Sequence, residues 1–215
     1  MQIFPRSLNK LPLIAGAGAA LALPAVVFLV WYYFSPWYTQ VGYEPEQPVH
    51  YSHRLHAGQL GIDCRYCHAN VERSAVAMVP PTQTCMNCHS VIKKDSNALK
   101  PIRDSWDTGK AMEWVKVHKV ADYVYFDHSV HVSAGVGCIE CHGRIDQMEV
   151  VRQQKPLSMG WCLQCHRDVK QNQGASQYLR PVSQVTNMEW QRTANEPVTP
   201  PRRLNPPENC TGCHR

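Results

Sequence analysis

The chain has 215 residues, of which 44% are hydrophobic and 18% are charged. At 24.4 kDa it has room for one membrane anchor and one modest soluble domain, which excludes an architecture with two large hydrophobic cores. The formal net charge of +5 comes from basic residues scattered along the chain, so we expect no nucleic-acid partner.

The first predicted element is a transmembrane helix at residues 11–34, a stretch of 24 residues without a charged side chain. At a rise of about 1.5 Å per residue, this helix is long enough to cross a bilayer with some tilt. Arg6 and Lys10 precede it, and an aromatic belt that includes Trp31 and Trp37 lies at its far end. The positive-inside rule therefore predicts a single-pass anchor in the cytoplasmic (inner) membrane, with residues 1–10 as a cytoplasmic tail and the rest on the periplasmic or outer face.

A cleaved signal peptide is the alternative interpretation of this segment. It requires a shorter apolar core followed by small residues at a cleavage site, whereas tryptophan, tyrosine, phenylalanine and proline follow the core here. Residues 35–50 come next and end in a polar, proline-bearing stretch. This composition predicts an extended linker between the anchor and the remaining chain.

The remaining chain carries five copies of the pattern Cys-x-x-Cys-His, and these copies account for all ten cysteines. Two thiols three residues apart on a helical turn lie on one face, where each can form a thioether with a haem vinyl group. The histidine is then placed under the iron, as in c-type haem attachment. Disulfide frameworks, zinc knuckles and thioredoxin-like pairs also use closely spaced cysteines, but none of them requires a histidine after every second cysteine.

We therefore predict five covalently bound haem c groups. The cysteines that attach them are Cys64, Cys67, Cys85, Cys88, Cys138, Cys141, Cys162, Cys165, Cys210 and Cys213. The proximal iron ligands are His68, His89, His142, His166 and His214.

An internal repeat organises the motifs. Residues 51–64 match residues 126–138 in an aromatic residue, a His-x-x-His pair, an Ala-Gly step and the first cysteine of a motif, and a further motif follows each copy. We predict two dihaem modules at residues 51–195 and a C-terminal arm, residues 196–215, with the fifth haem site. Hydrophobic periodicity is poor and prolines are frequent, so we expect short helices and irregular chain around the haems, with Tyr51 and Phe126 packed on them.

The distal iron ligands are predicted by counting the histidines outside the motifs. Five are needed and six remain, four of them in the repeated His-x-x-His pairs. The predicted distal ligands are His53, His56, His118, His128 and His131. His50 has no counterpart in the second copy and is the expected spare.

The spacing within each pair also predicts which haem each histidine serves. Side chains three residues apart diverge on a helix, so the two members of one pair cannot converge on a single iron. We expect His53 to serve the haem at Cys64 and His128 the haem at Cys138, while His56 and His131 reach across to other haems. Two imidazoles on every iron leave no open coordination position, which favours electron transfer over catalysis.

Methionine is the alternative distal ligand that the sequence leaves open. Met78, Met159 and Met188 lie in irregular, proline-flanked stretches and could displace one histidine, most easily at the fifth haem.

Residues 53–64, 78–89, 114–142 and 157–166, together with the anchor and the terminal motif, resemble the pentahaem, membrane-anchored cytochrome c component of bacterial alternative complex III. The more specific parts are FDHSVH at 126–131 and SMGWC at 158–162, while the His-x-x-His arrangement is also similar to that of cytochrome c7-like proteins. The resemblance implies a multihaem cytochrome c fold of the class III or cytochrome c7-like type, plus one N-terminal transmembrane helix.

The same resemblance implies that the chain is an electron-transfer subunit of a quinol:electron-acceptor oxidoreductase and is not an enzyme by itself. The implied partners are an integral membrane quinol-oxidising subunit, an iron–sulfur subunit between it and the haems, and a monohaem cytochrome c or a terminal oxidase as the acceptor.

Two other function classes remain as alternatives. A self-sufficient, membrane-anchored multihaem quinol dehydrogenase needs an accessible iron or acid–base residues near the bilayer. Here Cys64 follows Ser35 by 29 residues, and no charge lies within the span. A multihaem reductase needs an iron without a protein sixth ligand, and the histidine count argues against one.

Overall fold

The computed structural model of the chain describes residues 5–172, 179, 185–186 and 204–214. It divides into two compact units, residues 1–41 and 42–215. Several sequence predictions lie partly outside the described residues: residues 1–4 of the tail, residues 173–178, 180–184 and 187–195 of the second module, residues 196–203 and 215 of the arm, and the candidate ligand Met188. The described residues form helices and turns without strands, apart from isolated antiparallel bridges between Val124 and His214 and between Val136 and Leu179.

The N-terminal unit is dominated by one apolar helix. A 3-10 turn at Arg6–Lys10 leads into α1, Leu11–Tyr33, and a short helix, α2, follows at Pro36–Thr39. An 18-residue window of the 28-residue segment Arg6–Tyr33 has a mean hydropathy of 2.4, and the segment is, by length and composition, able to cross a membrane. Ser35 separates the two helices and its hydroxyl donates a hydrogen bond of 3.0 Å to the Tyr32 carbonyl.

The second unit is built from short helices. They are a π-helical turn at Arg54–Gln59, α3 at Cys64–Cys67, α4 at Thr82–His89, α5 at Lys100–Thr108, α6 at His128–Ser133, α7 at Cys138–His142, α8 at Met159–Gln171 and α9 at Cys210–Cys213. Two 3-10 turns, Asn97–Leu99 and Ile145–Gln147, lie between them. Every Cys-x-x-Cys-His motif therefore has its two cysteines on a helical turn, as the predicted short-helix architecture requires.

Side-chain caps explain where several of these helices begin. The Asp63 carboxylate accepts a hydrogen bond of 2.8 Å from the Arg65 backbone N–H at the start of α3. Asp127 does the same for the Ser129 N–H, also at 2.8 Å, at the start of α6. Capping of this kind satisfies an otherwise unpaired N–H and fixes the first turn, so each cap sets the direction in which the following histidines or cysteines project.

Helix α5 carries no haem motif and was not anticipated from the sequence. It presents Ile102 and Ser105 to the interior and ends at Gly109, whose φ of +70° is the left-handed geometry typical of a helix stop. The Ser105 hydroxyl lies 2.8 Å from the Thr82 hydroxyl and donates a 2.6 Å hydrogen bond to the Lys110 carbonyl. Helix α5 therefore supports α4, which carries the second motif.

The side-chain core of the described residues is small. Its buried hydrophobic members are Val49, Val71, Ile102, Val132, Met148, Val169, Leu179 and Val185. Val71, Val132 and Val185 form one cluster, with Ala77 packed against it. A domain of this length usually buries a larger apolar set, so these few side chains agree with the expectation that bound porphyrins supply much of the interior.

Candidate haem sites

The five motifs are numbered here as sites 1 to 5 in chain order: residues 64–68, 85–89, 138–142, 162–166 and 210–214. Helices α3, α4, α7, α8 and α9 carry their cysteines in that order. All ten thiols are free of disulfide bonds. Because cysteines three apart on a helical turn share a face, each site presents two thiols to one side, with its histidine next in the chain.

Three of the motif histidines face a second imidazole across a gap. The pairs are His56 with His89 at site 2 (ring centroids 6.2 Å apart), His128 with His142 at site 3 (6.4 Å) and His131 with His166 at site 4 (6.3 Å). Two imidazoles on opposite sides of one metal, each with a metal–nitrogen distance of about 2.0 Å, have centroids roughly 6 Å apart. These gaps therefore have the width that one doubly ligated iron requires.

The planes of these facing rings differ from pair to pair. At site 3 the two imidazoles are nearly parallel, with an angle of 5° between them, and at site 4 the angle is 31°. At site 2 the rings of His56 and His89 are turned by 66°. The three sites thus share a spacing and differ in ring orientation.

The two histidines of the second His-x-x-His pair face different sites. His128 begins α6 and faces His142 of site 3, whereas His131, one turn later, faces His166 of site 4. In the first pair, His56 faces site 2, whereas the charge of His68 of site 1 contributes to the lowered pKa of His53. Side chains three positions apart on a helical turn diverge, which accounts for this division.

Backbone carbonyls orient most of these imidazoles. The Nδ1–H donors and their carbonyl acceptors are His56 to Ser52 (2.9 Å), His131 to Asp127 (2.7 Å), His89 to Ile92 (3.0 Å), His166 to Pro207 (2.6 Å), His68 to Met78 (2.7 Å) and His128 to Ala75 (2.8 Å). A carbonyl oxygen can only accept, so the proton resides on Nδ1 and the lone pair of Nε2 remains available to a metal. A hydrogen bond of this kind also fixes the ring plane of a ligand.

Three buried nitrogens have no hydrogen-bond partner among the described residues: His53 Nδ1, His118 Nε2 and His142 Nδ1. Unpaired buried nitrogens are costly in a folded protein. Burial, followed by nearby imidazoles, lowers the pKa of His53 and His118 to about 4 and that of His142 to about 3. These rings are neutral at pH 7 and retain a lone pair, as metal ligation needs.

Sites 1 and 3 meet within the second unit. The Cys64 and Cys138 thiols are neighbours that influence each other's pKa, so attachment cysteines of the two sites lie close together. His118 joins this region, because its ring lies edge-on to His142 with centroids 4.3 Å apart. Burial raises the pKa of the neighbouring Cys141 thiol to about 12, although this residue keeps partial contact with solvent.

Site 5 is held by a short bridge to residues 123–125. Val124 and His214 form an antiparallel bridge, and the Tyr125 N–H donates a 2.8 Å hydrogen bond to the Cys213 carbonyl. The ring in contact with His214 is that of Tyr123, with centroids 5.6 Å apart. Within the described part of the chain, none of the predicted distal histidines is in ring contact with His214.

The remaining ligand candidates lie apart from these gaps. His50 is exposed, and Met159 is exposed at the start of α8. The Met78 sulfur accepts a 3.5 Å hydrogen bond from the Asn70 side chain, while the Met78 carbonyl orients His68. Met78 thus acts here through its backbone, at a φ of +68° that is unusual for a residue other than glycine.

Sequence reasoning did not identify the carbonyl groups that orient the histidines. Two of them, Ser52 and Asp127, lie four residues before the histidine, and a helical turn of that spacing could have indicated them. The carbonyls of Ala75 and Pro207 are 53 and 41 residues from their histidines and carry no local signal.

Comparison with known proteins agrees with this geometry. Residues 124–215 match the profile of the family described as "Cytochrome c7 and related cytochrome c". The chain is 29% identical over 172 residues to the "Menaquinone reductase, multiheme cytochrome c subunit" of Nitratidesulfovibrio vulgaris (strain Hildenborough), an alignment that covers 78% of this chain and 73% of that protein. The predicted fold class is confirmed: the chain has a cytochrome c7-like multihaem fold of short helices, with an N-terminal apolar helix.

Proposed function

We propose, on the premise of a cytochrome c7-like fold, that the chain is the electron-transfer subunit of a membrane oxidoreductase that acts on quinones. The observation that supports this most strongly is the set of facing imidazoles at sites 2, 3 and 4, separated by 6.2–6.4 Å. Haem c, bound covalently at the motif cysteines, supplies one-electron exchange at an iron that has no vacant position for a substrate. The chain would therefore relay electrons without catalysing a reaction by itself.

The axial assignment follows the observed gaps. We assign His56 and His89 to site 2, His128 and His142 to site 3, and His131 and His166 to site 4. The Nδ1–H of all these residues except His142 is held by a backbone carbonyl, which leaves Nε2 directed toward the gap.

Two assignments do not rest on a facing pair. We assign His53 to site 1 by neighbourhood, because the charge of His68 contributes to the lowered pKa of His53. His118 is assigned to site 5 by counting alone, since its ring lies against His142 of site 3. With these two assignments the proposed cofactor complement is five haem c groups.

The proposed location is the cytoplasmic membrane, with α1 as a single anchor and the haem unit on the periplasmic or outer face. The support is the strongly apolar 28-residue helical segment, which has Arg6 and Lys10 at one end and aromatic rings at the other. Resistance of the chain to extraction by alkaline carbonate is the expected result. Release as a soluble cytochrome would show instead that the segment is removed.

The proposed partners are an integral membrane subunit that handles quinol, an iron–sulfur subunit, and a monohaem cytochrome c or terminal oxidase. They follow from the resemblance to the pentahaem cytochrome of alternative complex III. The similarity to a menaquinone reductase subunit favours a second candidate, in which the same haems deliver electrons toward menaquinone. The side chains of this protein serve either direction equally, because facing imidazoles fix the ligation and not the direction of flow.

The test is to purify the native complex in mild detergent and compare it with the isolated full-length chain. We expect the complex to reduce its haems with quinol, or to oxidise them with menaquinone, while the isolated chain does neither at a comparable rate. Reduction of the isolated chain by quinol would contradict the proposal and favour a self-sufficient quinol dehydrogenase. A pyridine haemochrome assay on the denatured chain should give five haems, and a lower count would remove the corresponding site.

A further inference from the structure

The aromatic residue at the start of each repeat contacts both histidines of its pair. The Tyr51 ring lies edge-on to His53, with centroids 4.8 Å apart and an angle of 87°, and stacks on His56 at 4.5 Å and 23°. In the second repeat, Phe126 lies edge-on to one histidine at 4.8 Å and 85° and stacks on the other at 4.7 Å and 29°. The expectation that these rings pack on haems omitted this contact with the histidines.

The two sets of contacts are nearly identical, which indicates that the aromatic ring has the same role in both repeats. One histidine of each pair meets the edge-on contact and the other meets the stacked contact, so a single ring holds two imidazoles in different planes. Stacking at 4.5–4.7 Å opposes rotation of the second imidazole about its χ2 bond. The carbonyl bond four residues back restrains the same ring from its Nδ1 side.

The two aromatic residues differ in one group: Tyr51 has a hydroxyl that Phe126 lacks. The Tyr51 hydroxyl lies near the sulfur of Cys67, an attachment cysteine of site 1, close enough to interact with it. Phe126 cannot make an equivalent contact. A thioether sulfur remains a weak acceptor, so attachment of a haem leaves this interaction possible. Tyr51 therefore contacts His56, which faces site 2, and Cys67 of site 1.

We propose that Tyr51 is a positioning residue shared by sites 1 and 2: its ring fixes the plane of the His56 imidazole, and its hydroxyl holds Cys67 of site 1. Phe126 performs only the first of these tasks, for His131 at site 4. This inference rests on the axial assignments proposed above. It predicts that one side chain adjusts two neighbouring haem sites in the first repeat, while its counterpart in the second repeat lacks that link.

The angle between facing imidazoles provides the spectroscopic test, because in a low-spin ferric haem it governs the anisotropy of the electron paramagnetic resonance signal. The rings at site 2 differ by 66° and those at site 3 by only 5°. Loss of a stacking partner should let the imidazole turn, which changes the g values of that site. A side chain that merely filled space would leave the g values unchanged while it altered stability.

The experiment uses the full-length chain with its haems, purified from membranes in detergent. The variants H53M and H56M first identify the resonance and redox components of sites 1 and 2. We expect Y51L to displace the component that H56M identifies, and Y51F to keep that component while it shifts the midpoint potential of the component that H53M identifies. The matched variant F126L should displace the component that H131M identifies and leave sites 1 and 2 as they are.

The outcomes separate this inference from the axial assignment. If H56M changes no component, the assignment of His56 is wrong. If H56M changes a component that Y51L leaves in place, the assignment stands and the role of the Tyr51 ring is refuted. If Y51L does not accumulate with its haems, Y51F decides, because it removes only one oxygen atom: an unchanged site 1 component refutes the link through Cys67.

Discussion

The two repeats, residues 51–89 and 126–166, have the same local geometry in different surroundings. Each places an aromatic ring against a His-x-x-His pair and ties the second histidine to a carbonyl four residues back. In the first repeat, however, Val71 is the only buried residue among residues 51–89, all of which the structure describes. The second repeat buries several residues, including Val132, Met148 and Pro156. Local sequence thus determines the orientation of the histidine rings, and tertiary packing determines the solvent exposure of their surroundings.

This difference bears on redox behaviour because solvent exposure is one of the factors that set haem potentials. Cys88 of site 2 is exposed, while burial raises the pKa of Cys141 of site 3 to about 12. An apolar setting disfavours the additional positive charge of ferric iron. We therefore expect site 3 to be reduced at a higher potential than site 2, although both have two facing imidazoles.

The largest expected effect comes from removal of a whole haem from each repeat. C138A/C141A and C85A/C88A should each leave four haems per denatured chain. Loss at the buried site 3 should lower the free energy of unfolding by more than about 5 kcal/mol, since removal of even one large buried side chain costs about 3–5 kcal/mol. Loss at the exposed site 2 should cost clearly less.

The measurements are a pyridine haemochrome count and denaturant unfolding of each variant under identical conditions. Equal destabilisation by the two double variants would show that the repeats do not differ in burial once the haems are present. A larger loss of stability in C85A/C88A than in C138A/C141A would contradict the prediction.

The second prediction concerns single ligands. H56M and H131M should each retain all five haems, because attachment depends on the cysteines, and each should raise the potential of one component. The expected rise is roughly 0.1–0.2 V, a fraction of the about 0.8 V range that axial ligands span. A redox titration followed by visible absorbance measures it.

The corresponding control is H50M, since His50 is exposed and lies outside the facing pairs. A titration curve identical to that of the parent chain is the expected result. A changed component in H50M together with an unchanged one in H56M would exchange the roles of the two histidines.

The third prediction concerns the cap that distinguishes α3 from α7. Asp63 caps α3 and Gly137 precedes α7 without a side-chain cap, so D63G makes the first repeat like the second. Its hydrogen bond with Arg65, aided by Thr186, lowers the pKa of Asp63 to about 2 against partial burial. We expect D63G to lower the free energy of unfolding through the cap by a few tenths of a kcal/mol. D63N keeps an equally good cap and loses only the ionic contacts with Arg65, which contribute about 0.5 kcal/mol at pH 7.

The pH dependence of that loss has a definite sign. A carboxylate whose pKa is lowered in the folded chain stabilises it above the unfolded value of 3.8, and this contribution disappears as the pH falls through about 2. The difference in unfolding midpoint between parent and D63N should therefore be constant from pH 7 to about 5 and shrink below it. A difference that persists at pH 2 would mean that the cap acts through shape and not through charge.

The smallest expected effect is that of the exposed ion pair between Arg54 and Glu149, whose closest atoms lie 2.8 Å apart. More than half of each side chain is in contact with solvent, at 57% and 60%. We expect E149Q to leave the unfolding midpoint unchanged within error, because water and salt screen such a pair. A measurable loss would show that the first repeat is less exposed than its side chains indicate.

The sequence allowed the helical turns beneath the Cys-x-x-Cys-His motifs to be predicted, because each motif lies within five consecutive positions. It also predicted the short-helix fold, which the structure and the family match confirm. It could not predict that Ala75 and Met78 orient His128 and His68, since those contacts depend on how the chain returns on itself. Helix α5 escaped prediction for a related reason: it lies between motifs and has only Ile102 and Ser105 buried.

The bond from His166 to the Pro207 carbonyl has a consequence for the order in which the chain matures. A polypeptide is synthesised from its N terminus, so His166 and its two cysteines exist before the acceptor, 41 residues later, has been made. Until residue 207 arrives, the imidazole can rotate and exchange its proton between the two nitrogens. The His166 ring of site 4 therefore reaches its final orientation only after residue 207 has been synthesised, whereas that of His89 at site 2, whose acceptor is just three residues away, can do so early.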